Sequence, residues 1–445
     1  MSPFFAAIFL HSLCLATAIN FTTVYEWETF DFDCPYGKIR QDFDPKNVYL
    51  QNMAVFERRL FLSLNLDSGI PATLVWVPTS GTSAAPPKLS PFPTWHLHEK
   101  HNCHTIQRAR GMETDTGGRL WVLDNGSWEC PKSKLWIFDM FDIDETERVH
   151  EFPDAVVSHT YKTRVLRNIV LDKTPDDNLA YITESESEHL VVYSRKMDKS
   201  WTVKTPGRKW YSLALSPDME ATKQLYLARA FSYELYSVSV SELKNEGGTA
   251  AVKLIGEWTG VPYRMLIDSA NVLYAAFFDK NYLSKWNISE PFHEQRFHEV
   301  GRLGAFYPFI IALDTTNTLW MTERNQSGGA NETRNKLLKA DVDVRSYSFS
   351  VSTGSTTPQV NVTSEVVKSA QDPTIGGHAG LVADHRKSQF SNTIMILLLV
   401  CFLVLSSTVI VWLTLRMRRM QTSFRQIPFE NNGEMFVFLD SKHGD

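Results

Sequence analysis

Six times along this 445-residue chain the same short grammar recurs: an apolar strand, a turn rich in Asp, Asn or Gly, then a leucine with an aromatic and further apolar residues. The segments are MAVFERRLFLSL from Met53, METDTGGRLWVLD from Met112, IVLDKTPDDNLAYITE from Ile169, LALSPDMEATKQLYLAR from Leu213, MLIDSANVLYAAF from Met265 and IALDTTNTLWMTE from Ile311. Their anchoring leucines, Leu60, Leu120, Leu179, Leu225, Leu273 and Leu319, are spaced by 60, 59, 46, 48 and 46 residues. A third strand-like run follows each anchor: ATLVWV, KLWIFDM, HLVVYS, ELYSVSV, YLSKWN and KLLKADV. Strand, tight turn, strand, loop, strand is a meander, and a unit that cannot bury its own apolar face must stack on its neighbours. The repeat predicts an all-β, six-bladed β-propeller over 19–353 and argues against a pair of sandwiches, which need no long period. A ring removes exposed sheet edges by pairing an early strand with a late one. Val24–Asp33 and Arg345–Thr353 both alternate and are expected to close it.

Flanking segments read as addresses. Residues 1–18 combine a short apolar run with Ala16-Thr17-Ala18, a signal-peptide pattern. Residues 354–391, rich in Ser, Thr, Gly and Pro, read as a flexible stalk. The uncharged apolar run 392–415 matches a hydrocarbon core of about 30 Å. Arg416, Arg418 and Arg419 follow it and predict a type I membrane topology with 416–445 as a cytosolic tail. The expected location is a cell or secretory-pathway membrane, ectodomain outward. Six glycosylation sequons, at Asn20, Asn125, Asn287, Asn325, Asn331 and Asn361, all precede the span. Cys34, Cys103 and Cys130 are the ectodomain cysteines, so one disulfide and one left-over thiol are expected in an oxidising compartment. The net charge of −5, with no basic stripe, argues against a nucleic-acid partner.

PFPTWHL from Pro91, Asn102-Cys103, GGRLWVLDNG from Gly117, Cys130-Pro131, KLWIFDM, FPDAVV at Phe152, SLALSP at Ser212, Trp286-Asn287 and LWMTERN at Leu319 together resemble the Yellow/major royal jelly protein family of insects, over roughly residues 24–345. That resemblance implies a six-bladed propeller, in agreement with the repeat count. It also implies a Cys103–Cys130 disulfide. Gly117 and Lys285 stand where family members usually carry a second cysteine pair, so that bridge is expected to be missing. Cys34 is left either buried or joining two chains. Most members are secreted and soluble, and the span at 392–415 departs from that.

In a propeller, the starts of the inner strands and the loops after the second strands converge on one axial pocket. Second-strand ends supply Asp124-Asn125, Glu184-Ser185, Arg229, Phe277-Phe278 and Glu323-Arg324. Inner-strand starts supply Arg110, Arg167-Asn168, Tyr211, Tyr263-Arg264 and Pro308-Phe309. The ligand-binding candidates are Glu184, Arg229, Tyr263, Phe278, Glu323, Arg324 and Asn325, because ring faces and a carboxylate suit a protonated aromatic amine. The resemblance points the same way: in salivary relatives the pocket beside the counterpart of LWMTERN takes biogenic amines. Glu323 is then the expected ammonium anchor, and a rim arginine is its alternative partner.

Catalytic and cofactor motifs are absent from the sequence. Gly-x-Ser-x-Gly does not occur, and sequence order assigns no Ser, His and Asp to a triad. His96, His98, His101 and His104 crowd HLHEKHNCH and read as solvated loop histidines, with no metal or cofactor expected. Asp154, Asp172, Asp268 and Asp314 read as turn caps. The function expected is an extracellular propeller binding a small amine- or catechol-class ligand, linked to pigmentation or development. Its alternative is an enzyme of the dopachrome-conversion kind, with Glu184, Glu323 and rim tyrosines as acid–base groups. A metal-dependent lactonase-like propeller is a third reading, without motif support.

Overall fold

The computed structural model describes residues 19–33, 43–45, 48–65, 69–80, 85–142, 144–217, 222–300, 306–316, 318–325 and 335–342. The signal peptide, stalk, span and tail assignments, Cys34, Asn331, Asn361 and the strand expected at Arg345–Thr353 lie outside them. By compactness the chain divides after Ser355, and the described residues all belong to the first unit. Among them, no helix is long and apolar enough to cross a membrane.

Six four-stranded antiparallel sheets form the blades. Blade 1 holds β2 (Leu50–Phe56), β3 (Arg59–Leu64), β4 (Leu74–Pro78) and β5 (Ser90–Pro91). In blade 2 are β6 (Ala109–Thr114), β7 (Arg119–Asp124), β8 (Lys134–Asp139) and β9 (Glu145–Glu151). Blade 3 runs through β10 (Leu166–Lys173), β11 (Asn178–Glu184), β12 (His189–Ser194) and β13 (Lys199–Lys204). Then come β14 (Trp210–Leu215), β15 (Gln224–Arg229), β16 (Glu234–Ser239) and β17 (Lys253–Glu257) in blade 4. Blade 5 has β18 (Pro262–Ile267), β19 (Val272–Phe277), β20 (Tyr282–Asn287) and β21 (Gln295–Glu299). Blade 6 joins β22 (Phe306–Leu313), β23 (Thr318–Asn325) and β24 (Asn335–Asp341) to β1 (Thr22–Trp27). The inner strands β2, β6, β10, β14, β18 and β22 touch in that order, and β22 returns to β2, so the ring is closed.

Closure differs from the expected pairing. β1 does serve as the outer strand of the last blade, but its partner is β24, with Thr22 opposite Lys339 and Trp27 opposite Asn335. The KLLKAD run presents the open edge of blade 6, and the early strand covers it.

The anchoring leucines explain the repeat. All six lie on second strands and are buried. Six apolar clusters fill the junctions between neighbouring blades, and the leucines fall in five of them, Leu179 and Leu225 sharing the one between blades 3 and 4; Leu120 packs with Phe61, Phe92 and Phe138 between blades 1 and 2. The polar half of the grammar is a clamp. Asp115, Asp268 and Asp314 each follow an inner strand, and Oδ1 of each accepts from two backbone amides of the turn. Oδ2 accepts from the aromatic six residues on: Trp121 Nε1 at 3.0 Å, Tyr274 Oη at 2.9 Å and Trp320 Nε1 at 2.7 Å. Asp172 takes Tyr181 Oη at 2.9 Å across a longer turn. Turn carboxylate and buried aromatic hydrogen-bond to each other, which satisfies a ring donor that burial would otherwise strand. Asp154 lies apart, in the loop after blade 2, where it accepts from His159 N.

Cys103 and Cys130 are bonded, 27 residues apart, as the resemblance implied.

Candidate functional site

A β-bulge interrupts the start of every inner strand, between Leu50 and Asn52, Ala109 and Met112, Leu166 and Ile169, Trp210 and Ser212, Pro262 and Arg264, and Pro308 and Ile311. A bulge leaves a residue out of the ladder and re-aims its side chain. The bulged residues Gln51, Arg110, Arg167, Asn168, Tyr211 and Tyr263 are the lining of a small cavity. These starts lie on the five inner strands β2, β6, β10, β14 and β18, so the cavity is the mouth of the axial channel. Tyr263 stacks on Phe309 with centroids 4.1 Å apart, and Phe278 packs edge-on against both rings. Tyr211 lies 5.8 Å from Tyr263. Guanidinium groups cover the rings: Arg167 sits 4.7 Å over Tyr211, and Arg324 sits 3.8 Å over Tyr49. Arg110 donates to Gln51 Oε1, and Tyr263 Oη donates to the Gln51 carbonyl at 3.2 Å.

Burial pushes the Tyr263 hydroxyl well above its ordinary pKa, and Tyr211 adds to this, while Arg110, Arg167 and Arg324 pull it back. The phenol is therefore a neutral donor at the mouth. The enclosed space is about 10 Å³, room for one water. A ring-sized ligand must move side chains aside, and Gln51, Arg167 and Tyr211 are the half-buried ones in the lining.

Beneath the mouth, four side chains plug the channel. Arg264 Nη1 and Asn52 Nδ2 both donate to Asn168 Oδ1, at 2.8 and 3.3 Å, and Asn168 Nδ2 donates to the Tyr211 carbonyl. Arg264 Nη2 reaches Glu113 Oε2 at 3.4 Å. Burial raises the Glu113 pKa and Arg264 opposes this. Further down lies a second cavity of about 40 Å³, lined from all six inner strands, with Glu113 and Arg264 its charged walls among the described residues. The mouth is thus a blind pocket.

Positioning depends on Gly111. A Cβ there would stand 2.6 Å from the Arg167 carbonyl oxygen and 3.1 Å from Asn168 Cα, so the bulges of β6 and β10 pack backbone to backbone.

Of the predicted ligand residues, the structure brings Tyr263, Phe278 and Arg324 together at the mouth. The others are committed elsewhere. Glu184 is buried, and its Oε1 accepts from Val165 N and Glu186 N. Arg229 pairs with Glu234 at 3.1 Å. Glu323, the expected ammonium anchor, is 5% exposed and accepts from His298 Nε2 at 3.2 Å. Its partner is thus a histidine of β21 in the neighbouring blade, itself packed on Phe21, and not a rim arginine. Asn325 is buried at the end of β23. Gln51 escaped sequence reading. It precedes Leu60 by nine residues, close to the ten-residue offset of Arg110, Tyr263 and Phe309 from their own anchors, and that offset was the available signal.

Burial sets two of the sequon asparagines apart from the others. Asn125 is 3% exposed, and its side chain both donates to and accepts from the Leu166 backbone, so the fold leaves no room for a glycan. Asn325 is likewise enclosed, whereas Asn20 is exposed and Asn287 half-buried.

No three His, Cys, Asp or Glu side chains gather as a metal-binding group among the described residues. Of the four clustered histidines, His98 is not solvated: it is buried, and its Nε2 donates to the Phe92 carbonyl at 2.8 Å. His101 pairs with Glu129 in solvent. The fold does assemble one Ser–His–Asp series, with Ser200 Oγ 2.9 Å from His150 Nε2 and Asp198 Oδ1 3.1 Å from His150 Nδ1. Ser200 is buried on an outer strand, and Tyr193 and Arg148 also bind Asp198. This is a clasp between blades 2 and 3, with no approach for a substrate.

Fold and site define a six-bladed propeller with a blind, aromatic and arginine-rich axial mouth. Residues 109–210 and 207–363 match the family model described as "Major royal jelly protein". The chain belongs to the major royal jelly protein family. "Protein yellow" of Drosophila yakuba and of Drosophila melanogaster are each 25% identical to it over 347 residues, covering 67% of this chain and 63% of theirs. The chain thus spans 63% of the length of these curated relatives. Among solved structures, a luciferin-regenerating enzyme is similar at 10% identity and a TM-score of 0.46, covering 74% of this chain and 97% of that one. A gluconolactonase from Xanthomonas campestris is similar at 12% identity and the same score, covering 74% and 92%.

Proposed function

We propose that this chain is a Yellow-type binding propeller that takes a small aromatic ligand of the catechol or indole class at the axial mouth, in a role linked to pigmentation or development. The observation that carries this reading is the convergence of inner-strand bulges on one blind pocket flanked by Tyr211, Tyr263, Phe278 and Phe309. Aromatic walls supply apolar area and stacking, while Gln51, Asn168 and the tyrosine hydroxyls offer hydrogen bonds to ring substituents.

Dopachrome conversion needs an acid and a base at one ring. Glu184 and Glu323 are held away from the lining, which favours binding over turnover. Type I anchoring by 392–415, with the propeller outside the cytosol, is part of the same proposal, and the Cys103–Cys130 bond supports an oxidising compartment. The test is calorimetric titration of the full chain with catechol and indole ligands beside a dopachrome-decay assay. Saturable one-site binding without turnover is expected. Dopachrome decay well above the spontaneous rate, lost with an axial-mouth variant, would favour the enzyme.

A further inference from the structure

We propose that the ligand of the axial mouth is an anion: an aromatic carboxylate whose acid group is held by Arg167 and whose ring lies against Tyr211 and Tyr263. This rests on reading the mouth as a small-ligand site and goes further by fixing the charge of what enters.

Arg167 carries the argument. Its Nε donates to Ser185 Oγ at 3.3 Å and its Nη1 to Tyr211 Oη at 3.5 Å. Both acceptors are neutral hydroxyls and both contacts are long. A guanidinium has five donors in a planar fork that fits a carboxylate with two parallel hydrogen bonds. At half-buried Arg167 that fork lines the pocket, and among the described residues no carboxylate pairs with it.

The surroundings have the same sign. Arg110 lines the pocket, and Arg324 joins Arg110 and Arg167 in acting on the Tyr263 hydroxyl. Among the described residues the lining includes no carboxylate. Carboxylates around it are placed elsewhere: Glu113 with Arg264 below the plug, Glu323 with His298, Glu234 with Arg229, and Glu184, beside Ser185, buried with its Oε1 on the Val165 and Glu186 amides. Among the described residues of the lining, an ammonium would meet the Arg167 guanidinium and no carboxylate, whereas a carboxylate would meet donors already in place.

Charge and ring recognition are coupled. The Arg167 guanidinium covers the Tyr211 ring, and the free mouth has room for one water. A carboxylate that draws the guanidinium away uncovers the ring face that the ligand's own ring then occupies. A neutral catechol lacks that lever, and an amine works against it.

The test uses three probes that share a catechol ring: 3,4-dihydroxyphenylacetate, 4-methylcatechol and dopamine. Each is titrated by calorimetry into the full chain and into Arg167→Met. In the wild type the acid should bind roughly tenfold or more tighter than the amine, the neutral probe falling between, with the acid's advantage shrinking as salt rises. Arg167→Met should bring the acid and the amine to similar affinities. If dopamine binds as tightly as the acid, or the acid's preference survives Arg167→Met, the charge assignment is overturned while the mouth stands as an aromatic site. Absence of binding by all three probes overturns both. Should the variant fail to fold, the wild-type ratio and its salt dependence decide.

Discussion

Trp320 Nε1 donates to Asp314 Oδ2 at 2.7 Å, closing the turn between β22 and β23 from the inside. Asp314 also accepts from Thr316 N and Thr318 N, so one carboxylate satisfies an indole and two backbone amides. Asp314→Ala would strand a buried indole donor and is expected to cost about 2–4 kcal/mol. Chemical denaturation would show the loss as a lower midpoint at unchanged slope. Asp314→Asn, which retains an acceptor, should lose less, and equal losses would contradict the clamp.

His98 makes stability depend on pH. Desolvation lowers its pKa from 6.5 to about 4 in the folded chain, against the opposing hydrogen bond to the Phe92 carbonyl. The folded state therefore binds fewer protons than the unfolded one. Its contribution is complete above about pH 6.5 and is lost as pH falls towards 4, amounting to about 3 kcal/mol. His98→Gln keeps a donor for Phe92 but cannot titrate. Denaturation of both proteins at pH 7 and pH 4 should show the variant losing about 3 kcal/mol less between the two. Parallel losses would exclude His98 as the source.

Gly111 separates two bulges. Gly111→Ala places a methyl 2.6 Å from the Arg167 carbonyl, and the backbone of β10 must retreat. The expected cost is about 1–3 kcal/mol. Ligand affinity should fall with it, because Arg167 and Asn168 move together. Calorimetry on a variant that still unfolds cooperatively checks this, and unchanged affinity would detach the bulge from the site.

Glycan occupancy should follow burial. In chain produced through a secretory pathway, peptide mapping is expected to find Asn20 and Asn287 modified and Asn125 bare. A glycan on Asn125 in folded protein would contradict its hydrogen bonds to Leu166.

The blades were legible because their anchors recur: each leucine must be buried between two sheets, and a period of that kind survives loops of any length. The axial residues were half legible. Inner-strand starts such as Arg110, Tyr263 and Phe309 could be placed by counting back from an anchor. Which side chain of a bulge turns to the axis is set by the ladder's local break, and no periodicity encodes it. Glu323 shows the limit. It was expected to end its strand, but β23 runs on to Asn325, and its partner is His298, on the outer strand of another blade, a contact made by blade packing alone. Asn125 shows the same limit in reverse, since a motif says nothing of burial. Closure by β24 was missed because KLLKAD fits both a third strand and its neighbour's template.

The central claim is that a small aromatic ligand occupies the axial mouth. A crystal structure of the chain soaked with 3,4-dihydroxyphenylacetate tests it most directly. The account predicts ring density against Tyr211 and Tyr263, with Arg167 swung off Tyr211 onto the acid group and the Asn168–Arg264 plug intact beneath. A ligand bound elsewhere, or an empty mouth with Arg167 still covering Tyr211 at saturating ligand, would contradict it.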